Sequence, residues 1–206
     1  MGVFSSLNKI AIIILAAGAS SRMGGRDKLL IKIEGIEQIV RLSSEAKKSS
    51  SLVIIMVPNR DHPRAKLLDD LNVEIVQVSN NHLGLGHSIA LGVKEASKKD
   101  AIGVMIVPAD MPELTNADFN LLIKNFLVNP NLILQATTSN NQKGHPVVFP
   151  RSLFSQLKKL TGDQGARKVI TTNKHIYKKI RLPLQRATTD LDTEKEWADW
   201  LEKKLN

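Results

Sequence analysis

The sequence predicts an α/β fold with a mostly parallel central sheet and helices covering it, and three observations carry that expectation. Short apolar runs rich in β-branched residues recur at residues 10–14, 51–57, 73–78 and 102–107. They have strand length, not helix length, and small or turn-forming residues close each one. Between them lie segments with apolar residues at helical spacing, so strand and helix alternate along the chain. That alternation requires crossover connections, which parallel strands need, and right-handed crossovers are the rule. Finally, 206 residues at 42% hydrophobic and 24% charged suffice for a sizeable buried core. Residues 1–206 read as one domain, because no repeat, low-complexity stretch or linker interrupts them.

The run at 10–14 enters Leu15-Ala16-Ala17-Gly18-Ala19-Ser20-Ser21-Arg22-Met23-Gly24-Gly25-Arg26-Asp27-Lys28. A buried strand ending in small residues and glycines marks a loop where the backbone comes close to something. Glycines leave main-chain N–H groups free to point inward, and Arg22 and Lys28 add positive charge, so the loop reads as a cradle for a polyphosphate. The spacing fits neither G-x-x-x-x-G-K-[ST] nor G-x-G-x-x-G. A plain Gly-rich turn is the competing reading from the residues alone.

Residues 29–33 read as a short extended piece and 36–48 as a helix, with Ile36, Ile39, Val40 and Leu42 at near-helical spacing. After the strand at 51–57, residues 61–71 form a helix with Pro63 in its first turn, where proline is tolerated. The strand at 73–78 leads through a polar loop at 79–86 into a helix at 87–97, with Ile89, Val93 and Ala96 on one face. His87 reads equally as a solvated first-turn residue and as a binding group. The strand at 102–107 ends in Pro108-Ala109-Asp110-Met111-Pro112, which presents a carboxylate where open α/β sheets bind ligands, between two prolines that stiffen the turn. Thr115 with Asp118 caps the helix at 115–128. A strand at 132–137, a turn at Asn140-Asn141 and the segment Gly144-His145-Pro146-Val147-Val148-Phe149-Pro150 follow. Then come a helix at 151–160, the turn Gly162-Asp163-Gln164-Gly165-Ala166-Arg167, and a strand at 176–182. Last is Thr188-Thr189-Asp190-Leu191-Asp192-Thr193-Glu194, leading into an amphipathic helix to residue 205 that buries Trp197, Trp200 and Leu201.

The string after the first strand resembles the L-x-(A/G)-G-x-S-x-R-M-G-x-x-K signature of MobA-like nucleotidyltransferases. Ala16-Ala17-Gly18, the Gly-His-Pro at 144–146 and the Gly-Asp-x-Gly-Ala-Arg turn at 162–167 are similar to the molybdenum cofactor cytidylyltransferase, or MocA-like, branch. The likeness runs from Ile10 to about Leu201. It implies a three-layer α/β/α, Rossmann-like, GT-A-like nucleotidyltransferase fold, and an enzyme that moves CMP from CTP to a molybdopterin phosphate with release of pyrophosphate. The implied nucleotide contacts are Leu15, Ala16, Ala17, Gly18, Ser20, Arg22, Lys28, Gly84 and Ser88. Gly84-Leu85-Gly86-His87-Ser88-Ile89 departs from the Ser-rich G-x-S-x-S-L seen in the branch, and Ser88 is the matching residue. Arg22, Lys28 and Asp110 take the catalytic roles. Gly144, His145, Asp163, Gly165 and Arg167 fall to the second substrate, although the turn at 162–167 also serves as ordinary helix capping. Asp110 matches the Mg²⁺-binding aspartate of the (A/C)-D-(M/Q)-P motif. Asp192 matches a second metal carboxylate in D-I-D-T-P-E-D-(L/Y), although here the proline is missing and Lys195-Glu196 replaces the usual continuation. A molybdoenzyme or its maturation chaperone is the implied protein partner.

With no cysteine, disulfides, thiolate catalysis and Cys-based zinc sites are excluded. The net charge of +9 suits an anionic ligand. Its basic residues come as scattered doublets on helix faces, aromatics make up 4%, and no nucleic-acid motif is present, so a solvated basic surface is favoured over nucleic acid. Lys9 and the apolar run after it imitate a short signal peptide, but cleavage there would destroy the loop, and the run falls short of the roughly 18 residues of a spanning helix. A cytoplasmic protein without membrane attachment is expected. Alternatives with the same loop and carboxylates are a guanylyltransferase, a sugar- or alditol-phosphate nucleotidyltransferase, and a non-catalytic molybdenum-cofactor carrier.

Overall fold

A computed structural model describes residues 9–79, 84–163 and 165–205. Its frame is a seven-stranded sheet built from β1 (Ile10–Leu15), β4 (Val53–Val57), β5 (Glu74–Gln77), β6 (Gly103–Pro108), β7 (Ile133–Thr137), β8 (Lys143–Pro150) and β9 (Tyr177–Arg181), in the order β5-β4-β1-β6-β8-β7-β9. Only β8 runs antiparallel to its neighbours. The mostly parallel sheet expected from the sequence is therefore present, and β8 enters beside β6 as the return strand of a hairpin with β7.

Residue alternation along β1 shows why two helical layers are needed. Ile10, Ile12 and Ile14 join a core with Ile39, Leu42 and Ala46 of α1 (Gln38–Ser49) and Phe119, Leu122 and Phe126 of α4 (Asn116–Val128). Ala11 and Ile13 face the other way, onto Ile89, Val93 and Ala96 of α3 (Gly84–Lys98), Phe154 and Leu157 of α5 (Phe154–Leu157), and Val169 of α6 (Arg167–Thr172). A strand with both faces apolar has to be covered on both sides, which is the three-layer α/β/α arrangement. A third cluster, Met23, Ile33, Leu191 and Trp197, fastens α7 (Glu194–Leu205) onto the loop that follows β1.

Several boundaries differ from the sequence expectation. The helix expected from residue 36 begins at Gln38, because Ile36–Glu37 (β3) pair with Lys32–Ile33 (β2) around Glu34-Gly35, both at positive φ. The helix expected over 61–71 shrinks to α2 (Pro63–Lys66) and a 3₁₀ turn at Asp69–Leu71, ended by Asn72 in the left-handed region. The expected helix at 151–160 is a 3₁₀ turn followed by α5, and α6 is an element that periodicity did not suggest. Of the polar loop expected at 79–86, residues 80–83 lie outside the described residues, as does Gln164 of the turn at 162–167. The helix after that loop starts at Gly84, ahead of the expected His87.

Register decides where the site lies. Leu15 is opposite Met56 on one side and Pro108 on the other, so the loops leaving β1, β4 and β6 emerge side by side at the carboxyl edge of the sheet.

Candidate nucleotide site

At that edge lies a cleft of about 400 Å³, lined by residues 15–22 together with Lys28, Leu29, Arg64, Gly84, Leu85, Ser88, Pro108, Ala109, Asp110, Asp163 and Asp192. Every residue expected to touch nucleotide or metal is on its walls. The loop after β1 turns through Ser20, Gly24 and Gly25 at positive φ, whereas Gly18 does not need that freedom. Apart from its chain neighbours, no described residue approaches within 4 Å of where a Cβ on Gly18 would sit, so the fold itself would tolerate a side chain there. Among the described residues no group accepts a hydrogen bond from the main-chain N–H groups of residues 17–22. A run of unpaired backbone donors at the edge of a cleft is an anion site.

One buried side chain packed against the loop holds its shape. Arg64, with 2% of its side chain exposed, donates Nε to Asp27 Oδ2 at 2.7 Å and Nη2 to Asp27 Oδ1 at 2.7 Å. Its Nη1 donates to Ala16 O at 2.6 Å and Gly18 O at 2.7 Å, and Nη2 also reaches Ser20 Oγ at 3.0 Å. Sequence reasoning passed over Arg64. It sits in a four-residue helix, and its only local signal is a basic residue directly after a helix-starting Pro63.

The charged floor is tighter than the sequence suggested. Lys28 Nζ donates to Asp110 Oδ2 and, at 2.6 Å, to Asp192 Oδ1, while Arg22 Nη1 lies 2.7 Å from Asp192 Oδ2. Lys28 is thus a bridge between the two carboxylates as well as part of the cradle. Burial alone would lower its pKa, but the two aspartates outweigh that and hold it above the usual lysine value. Burial likewise pushes the Asp192 carboxyl up, and the bonds from Lys28 and Arg22 bring it below the usual value. The Asp190 carboxyl is pushed up by burial and by the charges of Asp110 and Asp192, against a backbone bond and the charge of Lys28.

Backbone bonds bring the two aspartates together from opposite ends of the chain. Ala109 N–H donates to Leu15 O at 3.2 Å, Gln38 Nε2 donates to Ala109 O at 2.9 Å, and Leu191 N–H donates to Asp110 O at 3.1 Å. Trp197 Nε1 donates to Leu191 O at 3.2 Å and anchors that peptide to α7. The departure at Lys195-Glu196 has a structural use: Glu196 Oε2 accepts from the N–H groups of Asp192 and Thr193, both at 2.8 Å, while Thr193 Oγ1 accepts from Glu196 N–H at 3.2 Å. This capping box fixes the backbone of Asp192.

The residues assigned to a second substrate divide. Asp163 reaches the cleft wall because the backbone at 161–163 packs on the start of α3, with Gly86 N–H donating to Gly162 O at 2.8 Å. A Cβ on Gly84 would come within 2.5 Å of Gly162 C, and one on Gly86 within 2.8 Å of Thr161 O, so this approach requires both glycines. Gly144, His145, Gly165 and Arg167 are not on the cleft walls. Gly144 is a packing position, since a Cβ there would lie 1.8 Å from Ala187 O. His145 continues β8 past its last pairing with β6, at Val147 opposite Ile106, and so lies toward Asp110. Its pKa is lowered by burial, against a backbone bond to Ile106 and the charges of Asp110 and Asp190, and Nδ1 is buried without a partner among the described residues. His87 is also absent from the cleft walls.

A family model described as the MobA-like NTP transferase domain matches residues 12–177. The chain belongs to that family, one of nucleotidyltransferase enzymes. Among its relatives, the purine catabolism protein PucB of Bacillus subtilis (strain 168) is 31% identical over 173 residues, covering 77% of this chain and 78% of that protein. The molybdenum cofactor guanylyltransferase of Serratia proteamaculans (strain 568) is 30% identical over 165 residues, covering 79% and 78%. Among solved structures, Rv0371c from Mycobacterium tuberculosis H37Rv superposes with a TM-score of 0.78 at 20% identity, over 95% of this chain and 99% of that one. A CMP:2-keto-3-deoxy-manno-octonic acid synthetase complexed with CTP reaches 0.75 at 14% identity, over 96% and 99%. These structural likenesses establish the nucleotidyltransferase fold. A manganese complex of Rv0371c, with a TM-score of 0.76 at 19% identity over 95% and 99%, belongs to the same set. Among the described residues no group of three or more His, Asp or Glu side chains assembles as a metal site, and no helix is long and apolar enough to cross a membrane.

Proposed function

We propose that this chain transfers CMP from CTP to a molybdopterin phosphate and releases pyrophosphate, as one domain acting in the cytoplasm. The observation that carries the reading is the meeting, in one cleft, of the unpaired donors of residues 17–22, the cations Arg22 and Lys28, and the carboxylates Asp110 and Asp192. The backbone donors would take the triphosphate, with Arg22 and Lys28 stabilising negative charge as pyrophosphate departs. A phosphate monoester is largely ionised at neutral pH, its second pKa being about 6, so the attacking oxygen needs no general base.

The residues present fit Mg²⁺. Asp110 Oδ1 is buried without a partner among the described residues, and Asp192 is held beside the same ammonium. Asp110 and Asp192 would hold the ion, a hard cation that prefers carboxylate oxygens. When bound it would neutralise charge on the phosphate under attack. Gly84, Ser88 and Asp163 would face the nucleoside end, with His145 beside Asp110 toward the acceptor. A molybdoenzyme or its maturation chaperone would receive the product.

CTP is favoured by Ala16-Ala17-Gly18 together with the Gly-His-Pro and Gly-Asp-x-Gly-Ala-Arg strings. A second reading, with GTP, is favoured by the similarity to a molybdenum cofactor guanylyltransferase. Pyrophosphate release with each of the four NTPs, Mg²⁺ and purified molybdopterin separates them. Release with CTP well above GTP is expected. Equal or faster release with GTP would overturn the nucleotide assignment, and no release with any NTP would leave a carrier.

A further inference from the structure

We infer that Arg64 is a positioning residue for the polyphosphate: by holding the carbonyls of Ala16 and Gly18 behind the loop, it turns the N–H groups that follow them toward the cleft. The inference rests on reading the cleft as a triphosphate site. In a trans peptide the C=O of one residue and the N–H of the next point in opposite directions. Ala16 O and Gly18 O both accept from Arg64 Nη1, so the N–H groups of Ala17 and Ala19 point away from the guanidinium. Those donors have no partner among the described residues. Were the same peptides flipped, two carbonyl oxygens would face the anion, and attraction would become repulsion.

The guanidinium is fully used. Its five N–H bonds meet Asp27 Oδ2, Asp27 Oδ1, Ala16 O, Gly18 O and Ser20 Oγ, all within 3.0 Å. Asp27 cancels its charge, so Arg64 contributes orientation where Arg22 and Lys28 contribute field. A lysine has three donors without a planar fork and cannot hold both carbonyls and the carboxylate together. The simpler reading is an ion pair that only stabilises the fold. It accounts for the bonds to Asp27 but gives no reason for both carbonyl bonds to fall on alternate peptides of a loop whose other side carries the free donors.

The two readings part when Arg64→Met, Arg64→Lys and Asp27→Asn are compared in the full chain. Inorganic triphosphate binding is measured by calorimetry at a temperature where each variant is folded, and amide exchange is followed in the peptide spanning residues 16–22. Asp27→Asn breaks the ion pair and leaves the carbonyl bonds, so triphosphate affinity should stay within about threefold of the parent. Arg64→Met should weaken it at least about tenfold, and Arg64→Lys should fall between. Triphosphate should slow exchange at residues 17–22 in the parent and in Asp27→Asn, but not in Arg64→Met. Parent-like triphosphate affinity in folded Arg64→Met, or an equal loss in Asp27→Asn, would overturn the inference. If Arg64→Met does not fold, the comparison of Arg64→Lys with Asp27→Asn decides on the same criterion. A parent protein that binds triphosphate but releases no pyrophosphate from any NTP defeats the proposed function and leaves the Arg64 role standing. A parent that binds no triphosphate defeats the Arg64 role itself.

Discussion

Lys28 occupies the point where the cradle and the carboxylates meet, touching Asp110 and Asp192 across 82 and 164 residues of sequence. Two expectations follow from that position. Replacing it or Arg22 with alanine removes a charge that matters most as the leaving group becomes anionic, so turnover should fall by roughly two orders of magnitude or more while the fold persists. Lys28→Ala also removes the ammonium that bridges the two carboxylates and leaves only Arg22 on Asp192, so Mn²⁺ alone should bind the nucleotide-free variant about tenfold more tightly than the parent, read by electron paramagnetic resonance. Near-parent turnover in both alanine variants, or weaker Mn²⁺ binding in Lys28→Ala, would go against this account. Asp110→Asn keeps size and hydrogen bonding but loses charge, and should reduce turnover by about three orders of magnitude, with excess Mg²⁺ recovering little. Asp192→Asn should be milder. At this scale the sequence revealed Arg22, Lys28, Asp110 and Asp192 through motif strings, but the ion bridge among them was not visible, because the contacts exist only once the sheet brings its ends together. Arg64 left even less trace, since its partners are backbone carbonyls, and carbonyls carry no side-chain signature.

Elements show the same division between what periodicity encodes and what tertiary contacts add. β1, β4, β5, β6, β7 and β9, with α1, α3 and α4, were readable because their apolar spacing repeats over enough residues, whereas β8 stood in the sequence only as a motif segment. The hairpin at Lys32–Ile33 and Ile36–Glu37, and α6, are too short for any period to register. Thr115 with Asp118 was read correctly as a cap: the Asp118 carboxylate accepts from the Thr115 N–H at 3.0 Å and hydroxyl at 2.9 Å. In the cap on α7, the reach of Glu196 back to the backbone of Asp192 and Thr193 emerges only from the structure. Backbone bonds from Asp192 and Thr193 hold the Glu196 carboxyl below its ordinary 4.5. A lowered folded-state pKa means that the contribution is present above the unfolded value and is lost as pH falls through the folded one. Glu196→Ala should therefore cost about 1 kcal/mol at neutral pH, as cap removals do, and the gap from the parent should close as the pH falls below 4.5. Thermal unfolding across pH 3 to 7 checks this, and a gap that widens in acid would contradict it.

At the scale of the whole molecule, the alternation of strand and helix predicted the parallel sheet, and register then placed every expected nucleotide contact at one carboxyl edge. The antiparallel entry of β8 beside β6 was not readable, because strand order depends on which edge a late strand can reach and not on local sequence. It leaves Gly144 pressed on Ala187 and His145 toward Asp110, with neither on the walls of the nucleotide cleft. The tail closes the site from outside the sheet. Trp197, 2% exposed, packs with Met23 and Ile33 and bonds the Leu191 carbonyl, so one side chain joins the loop after β1 to the segment carrying Asp192. Trp197→Ala should cost roughly 3–5 kcal/mol in chemical denaturation. In the folded variant it should lower turnover more than triphosphate affinity, because the backbone donors of residues 17–22 remain while Asp192 loses its anchor. The most direct test of the central claim is a crystal structure with Mg²⁺ and a non-hydrolysable CTP analogue. The triphosphate should lie against the N–H groups of residues 17–22, with one ion between Asp110 and Asp192 and Lys28 turned from the carboxylates to a phosphate. A triphosphate bound elsewhere on the protein, or an ion that touches neither aspartate directly or through water, would contradict the account.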